Sequence, residues 1–267
     1  MKQRIDYPRR LLIRRLLQSI SRAAFSLLCD FEVRGTHNLP QSGPLLVIAN
    51  HFSFIDPVAV IRSLPYPIEF VGGAEFPHAP AVVKFLPKIW GYYPVFRGTG
   101  SRFALRAAEK IIKQNGVLCI MPEGGSWAEV LRPARPGAAY LATQTGAQVL
   151  PLGIYGLNEI FPIKLGNRPK VVVSIGQPVG PFQASGRGRE RREQLDKIGL
   201  SLMEAIAHQL PDRFRGFLAE DPATRAAAEG TEDYPWETQV EGEVEGEVHY
   251  VLLGFNKAII HPLLPIR

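Results

Sequence analysis

A histidine and an aspartate, His51 and Asp56, lie five residues apart in a loop that follows the apolar run 45–49 and leads into a helix. In such a loop the carboxylate can bond one imidazole nitrogen and set the tautomer. The other nitrogen is then left to take a proton from an alcohol. A plainer interpretation remains open, with Asp56 as a helix N-cap and His51 as a loop histidine held by structural hydrogen bonds.

An arginine ahead of two glycines forms a second candidate. Arg97 is suited to clamp a phosphate, because a guanidinium binds phosphate oxygens bidentately, and the glycines of 98–100 lead into a helix whose first N–H groups could bind an anion. The alternative for Arg97 is a solvated surface charge. The segment is not a dinucleotide fingerprint, since Phe103 stands where the third glycine would be.

A third segment directly follows the predicted strand 116–122. Gly124 and Gly125 let a ligand approach the backbone closely, and Glu123 is placed to bond an acceptor or to orient Arg97. The alternative is a tight turn that ends the strand.

Two further features come later in the chain. Arg132 and Arg135 precede the helix start at Pro136 and form a second plausible anion site. Pro151 interrupts the apolar run 148–156, and alone it predicts only a bulge or an edge strand.

In this order and spacing, the four motifs resemble those of the glycerolipid acyltransferase family, which includes lysophosphatidic-acid and glycerol-3-phosphate acyltransferases. His51 and Asp56 match its HxxxxD motif, Arg97 resembles its second motif, and Glu123 with its neighbours Pro122 and Gly124 resembles its third. The apolar stretch around Pro151 resembles the fourth. The resemblance covers roughly residues 30–180.

The resemblance implies an acyl transfer in which His51 is the general base for an acceptor hydroxyl and Asp56 orients it. The hydroxyl would attack an acyl thioester of coenzyme A or acyl carrier protein, with Arg97, Glu123 and the adjacent glycines binding the acceptor's phosphate end. Pro151 would lie near the acyl donor. A thioester is already activated, so no cofactor or metal is expected, only acyl-CoA or acyl carrier protein as co-substrate.

The third motif departs from the family pattern. The family usually continues Glu-Gly-Thr-Arg, whereas this chain reads Glu123-Gly124-Gly125-Ser126. Either Arg132 or Arg135 replaces the missing arginine, or the acceptor is another lysolipid, such as an aminolipid or a glycolipid. A hydrolase using the same dyad and a non-catalytic lipid-binding protein are the alternative functions.

The pattern of apolar runs predicts an α/β fold with a mixed, largely parallel sheet flanked by helices. We expect an acyltransferase domain over residues 30–218. The predicted strands are 45–50, 68–73, 116–122, 148–156 and 170–176, and the predicted helices are 57–63, 101–115, 136–145 and 189–209.

Residues 1–29 are expected to contain an amphipathic helix over 9–28 with an apolar stripe, opposite which lie Arg10, Arg14, Gln18, Ser21 and Arg22. Such a helix suits a membrane surface, because apolar burial adds to the attraction between cations and anionic lipid. An ordinary surface helix packed on the core is the alternative.

The charge distribution is uneven. The net charge is +6, yet residues 219–249 are strongly acidic, so the rest of the chain is strongly basic and suits anionic partners. We expect residues 219–267 to be an acidic, poorly ordered tail with an apolar end. The lipid partners would be a lysolipid acceptor and a membrane surface, and no nucleic-acid module accompanies the basic run 187–192.

The remaining composition bears on location. No apolar run is long enough for a membrane span, and the two cysteines suit a reducing compartment. The sequence therefore predicts a peripheral protein on the cytoplasmic face of a membrane.

Overall fold

The computed structural model describes residues 5–73, 86–95, 102–164 and 166–233. Within them the strands are β1 (Asp30–Arg34), β2 (Leu45–Ala49), β3 (Ile68–Gly73), β4 (Tyr93–Val95), β5 (Val117–Ile120), β6 (Gln148–Tyr155) and β7 (Lys170–Ile175). The α-helices are α1 (Leu11–Leu28), α2 (Asp56–Ser63), α3 (Leu86–Trp90), α4 (Arg102–Ile112), α5 (Pro136–Thr145), α6 (Gly188–Ala207) and α7 (Pro222–Ala228).

The strands form one mixed sheet in the order β1-β7-β6-β2-β5-β3-β4. The five strands from β6 to β4 are parallel to one another, whereas β7 runs antiparallel to β6 and carries β1 parallel to itself. This arrangement confirms the predicted fold class. Strand β2 lies at the centre with every residue buried, as expected for a strand covered on both faces.

Helices cover both faces of the sheet. One apolar cluster includes residues of α1, α2 and α3, and the other includes residues of α4, α5 and α6. Local sequence explains where several helices begin and end: α5 starts at Pro136 and stops at Gly146, whose φ of 58° favours glycine. Both cysteines, Cys29 and Cys119, are buried and free.

The predicted elements recur with small shifts at their ends, but β1, β4, α3 and α7 were not predicted. The last of these corrects the expectation of poor order beyond residue 218. Residues 219–233 contain α7, whose first turn is capped by the Asp221 carboxylate accepting from the N–H groups of Ala223 and Thr224. The remainder of the expected tail, from residue 234, lies outside the described residues.

Pro151 does not lie on an edge strand, because β6 is flanked by β2 and β7. It is tolerated because β7 has ended on that side: the Pro151 carbonyl accepts from Gly176 N–H at 2.9 Å, and Val149 next pairs with Val179. The chain advances three residues from Gly176 to Val179 but only two between Pro151 and Val149. The extra residue forms the expected bulge opposite the proline.

Helix α1 is amphipathic as predicted, but its polar side faces the protein. Arg14 and Ser21 are buried, while Gln18 donates to the carbonyls of Ile61 and Leu64 at 2.9 and 2.8 Å. Most of the apolar side is exposed. We call this the outer face of α1; its residues are Leu11, Leu12, Ile13, Leu16, Ile20 and Leu27.

A buried ion pair explains this orientation. The Arg14 guanidinium binds the Glu69 carboxylate bidentately, with both N···O distances 2.7 Å, and its Nε donates to the Trp90 carbonyl. Arg9 adds a third cationic contact to Glu69 at 2.8 Å. Since Glu69 is fully buried on β3, turning α1 to bury its leucines would leave that carboxylate without its main counter-charge.

None of the described helices is both long and apolar enough to cross a bilayer.

We predict that Arg14→Ala lowers the free energy of unfolding by about 3 kcal/mol, because it leaves a buried carboxylate with Arg9 as its remaining counter-charge. Urea denaturation followed by circular dichroism measures the change. Arg15→Ala is the matched control, since Arg15 is exposed on the same helix. Equal losses in the two variants would contradict the role assigned to the Arg14–Glu69 pair.

Candidate active site

Two neighbouring parallel strands bring the first and third sequence motifs together. Strands β2 and β5 are paired in register from Leu45 with Val117 to Ile48 with Ile120. Their carboxyl ends therefore meet at the same edge of the sheet, and His51 and Glu123 follow within three residues of them. Sites in open α/β sheets are assembled at this edge.

The side chains of His51 and Asp56 are in hydrogen-bond contact. Nδ1 of His51 lies 3.0 Å from Oδ2 of Asp56, which also accepts from the Ser53 N–H at 2.7 Å. Asp56 is the first residue of α2 and makes no capping bond, so the helix N-cap interpretation is not realised. With Nδ1–H donating to the carboxylate, the Nε2 lone pair of His51 is left to accept a proton.

The two groups differ in their exposure. The His51 side chain is 19% exposed, whereas Asp56 is buried at 1%. Burial raises the pKa of the Asp56 carboxyl, and the hydrogen bond and charge of His51 act in the opposite direction. The contact with His51 thus favours the ionised form of Asp56 against the effect of burial.

Glu123 is buried and holds the backbone of the histidine loop. Its Oε1 accepts from the His51 N–H at 2.7 Å, and its Oε2 accepts from the backbone N–H and the Nε–H of Arg132. Burial raises the pKa of Glu123 and the Arg132 charge lowers it. Because all three partners are N–H donors, the ionised carboxylate is the form that satisfies them.

Arg132 is likewise buried, which differs from the predicted position against an acceptor phosphate. Besides Glu123, its guanidinium donates to the Gly125 carbonyl and stacks 3.8 Å from the ring centre of Trp127. The Trp127 indole N–H donates in turn to the Thr231 carbonyl at 2.8 Å. Arg132 therefore supports the loop that positions Glu123.

The sequence left open whether Arg132 or Arg135 replaces the missing arginine, and Arg135 is the exposed one of the two. Its side chain passes against Gly124: a β-carbon placed on that glycine would lie 3.3 Å from Cγ of Arg135. Gly124 has a φ of +79° and is exposed, next to the Glu123 that bonds His51. The Arg135 guanidinium donates weakly to the Glu232 carbonyl at 3.3 Å.

Two asparagines that were not predicted as site residues join the histidine loop to β6 and the turn after it. Asn50 is buried and exchanges two hydrogen bonds of 2.7 Å with the backbone of Ile154. Asn158 donates to the Phe52 carbonyl at 3.1 Å and to Glu129 at 2.7 Å. A buried asparagine directly after an apolar strand was the available signal for the first. No local sequence feature indicated the contact made by Asn158.

The remaining predicted site residues are Arg97 and Pro151. Arg97 and the glycines at 98 and 100 lie outside the described residues. Pro151 lies within β6, opposite Ile48 of β2, and is separated from His51 by the end of the strand.

Part of the chain, including the histidine loop, is similar to known proteins. Residues 30–155, which contain the histidine loop and the Glu123 segment, match the family model named Acyltransferase. This match covers 126 of the 267 residues, so it is this part of the chain that is similar to the acyltransferase family. This confirms the resemblance drawn from the four motifs.

Individual relatives are distant. The chain is 27% identical over 155 residues to a chloroplastic 1-acyl-sn-glycerol-3-phosphate acyltransferase of Brassica napus, covering 55% of this chain and 44% of the relative. It is 24% identical over 131 residues to the 1-acyl-sn-glycerol-3-phosphate acyltransferase of Borreliella burgdorferi, covering 48% and 52%. The chain thus spans about half the length of the curated relatives it matches.

Among solved structures, the chain is similar to the 1-acyl-sn-glycerophosphate acyltransferase of Thermotoga maritima. The TM-score is 0.49 at 24% identity, covering 72% of this chain and 78% of that one.

Proposed function

We propose that this protein transfers a fatty acyl group from a thioester, acyl-CoA or acyl-ACP, to a hydroxyl of a lysophospholipid or glycerol-phosphate acceptor. The observation that carries the proposal is the contact between His51 and a buried Asp56, held at the sheet edge by Glu123. The family match supports the reaction class, and the names of the relatives support a 1-acylglycerol-3-phosphate as the acceptor.

In the proposed mechanism Nε2 of His51 removes the proton from the acceptor hydroxyl as the oxygen attacks the thioester carbonyl. Asp56 holds the ring and stabilises the imidazolium that forms. The tetrahedral intermediate collapses with cleavage of the carbon–sulfur bond, and the imidazolium returns its proton to the leaving thiolate. No cofactor or metal is required, since the thioester is already activated.

We assign the acceptor's phosphate to Arg135. Arg132 is buried against Glu123, whereas Arg135 is exposed beside Gly124 and is held by one long hydrogen bond. A phosphate in front of Gly124 would lie within reach of this guanidinium and close to the His51 loop. We expect Arg97 to contribute from the segment that follows β4.

We further propose that the protein acts peripherally on the cytoplasmic face of a membrane, through the outer face of α1. This surface exposes Leu12 at 81% and Leu16 at 61%, and Arg15 and Arg22 on the same helix are exposed. Lipid acceptor and product both partition into a bilayer, so a surface-bound enzyme meets them where they are while the thioester arrives from solution.

We predict that His51→Ala lowers kcat by about 10²–10⁴-fold and that Asp56→Asn lowers it by a similar factor through loss of ring orientation. Lipid mass spectrometry over a matrix of thioester donors and lysolipids measures the product. His208→Ala is the control, because His208 is exposed at the end of α6. Undiminished turnover in His51→Ala would remove this residue from the mechanism, and accumulation of free fatty acid without esterified lipid would indicate a hydrolase.

We predict that Arg135→Ala raises KM for a lysophosphatidate by roughly 10–100-fold, the usual effect of losing a hydrogen bond to a charged group. KM for an uncharged monoacylglycerol should not change. Steady-state kinetics on the two acceptors measure the difference, with Arg213→Ala, an exposed arginine of the 212–214 turn, as control. An equal rise on both acceptors would argue against phosphate recognition.

We predict that Leu12→Asp/Leu16→Asp reduces binding to anionic vesicles at least about tenfold, since two apolar contacts become charged. Co-sedimentation measures the bound fraction, with Leu200→Asp, an exposed leucine of α6, as control. Substitution is cleaner than truncation here, because removing α1 would uncover Glu69. Wild-type binding by the double variant would contradict membrane docking through α1.

A further inference from the structure

The loop between β6 and β7 exposes consecutive apolar residues. Phe161, Pro162 and Ile163 are all exposed, Phe161 by 37% and Ile163 by 55%. Single exposed apolar side chains are ordinary on a protein surface, but a run of three at the end of a buried strand needs a reason.

This loop lies beside the histidine loop. The ring centres of Phe161 and Phe54 are 5.2 Å apart, and Phe54 lies between His51 and Asp56 in the chain. Asn158, at the start of the same segment, donates to the Phe52 carbonyl. Residues 161–164 are therefore held next to the opening at which His51 is partly exposed.

The same sheet edge also receives the end of α1. Because β7 runs antiparallel to β6, its first residue, Lys170, lies at the edge where β6 ends, and Asp30 pairs with Lys170. Arg168 donates to the Cys29 carbonyl at 3.0 Å, directly after α1. Leu27, 65% exposed at the last turn of the outer face of α1, therefore lies at the same end of the sheet as this loop.

The charge of residues 161–170 indicates the kind of surface that this loop would bind. Residues 161–170 contain Lys164, Arg168 and Lys170 and no acidic residue; the nearest acids along the chain are Glu159 and Glu190. Lys170 is paired with Glu32, which leaves Lys164 and Arg168 as exposed cations beside the apolar run. Apolar side chains flanked by cations are suited to an anionic bilayer.

We propose that residues 161–164 form a second bilayer contact, in which Phe161 and Ile163 insert among the headgroups of an anionic membrane. The inference rests on the proposed function, because a second contact beside the histidine loop holds that loop at the lipid surface. Helix α1 alone would attach the protein but leave it free to pivot about the helix axis.

Ile163→Trp tests insertion directly, with Leu200→Trp as the matched control on the opposite face of the sheet. Each protein is mixed with vesicles of equal phosphatidylglycerol and phosphatidylcholine, with the lipids brominated on their acyl chains, and the wild-type tryptophan signal is subtracted. We expect a blue shift and quenching at position 163 and neither at position 200. An unchanged spectrum at 163 on bound protein would overturn the proposal.

A second variant separates bilayer binding from substrate binding. Ile163→Ser, which leaves the contact of Phe161 with the histidine loop intact, should bind the same vesicles, without bromine, about tenfold more weakly and keep its kcat and KM on short-chain substrates in solution. Unchanged vesicle binding with a raised KM would assign the loop to the substrate pocket and overturn the bilayer contact. Absence of acyl transfer in the wild type would refute the proposed function and leave the fluorescence result to decide this proposal.

Discussion

The site depends on a hydrogen bond between two loops that are 72 residues apart in the chain, from the His51 N–H to the Glu123 carboxylate at 2.7 Å. It fixes the backbone of the histidine while Asp56 fixes its ring, so the imidazole has little freedom left. The bond is possible because β2 and β5 are adjacent and parallel, and Arg132 pairs with the buried carboxylate. For the proposed reaction, such pre-organisation would spare the cost of ordering the base.

Helix α1 shows how a buried charge can decide which side of an amphipathic helix faces water. Turning the helix would break the Arg14–Glu69 pair and the hydrogen bonds of Gln18 together, and the apolar side stays outside. The exposed apolar side chains are unfavourable in water but form a surface suited to lipid. The ion pair is structural, and its consequence is an exposed apolar stripe.

Much of the fold could be predicted from the sequence. The apolar runs of β2 and β5 and the Pro136 and Gly146 signals of α5 are local, and they were sufficient for element type and sheet class. Strand β1 was missed because Phe31 and Val33 are its only apolar residues. The spacing of His51 and Asp56 predicted their contact, whereas the partners of Glu123 and the inward side of α1 depend on residues distant in the chain. The periodicity of apolar residues carries no information about contacts between residues that are distant in the chain.

The chain beyond α6 folds back onto the loop that carries Glu123 and Arg132. Leu131 N–H donates to the Phe214 carbonyl, Gly216 approaches Leu131 too closely for any side chain, and Trp127 donates to Thr231. The family-model match ends at residue 155, yet the loop beneath the candidate site is completed by residues as late as 231. The structural unit that supports the site is thus longer than that match, and changes near residue 231 can reach the histidine through Trp127 and Arg132.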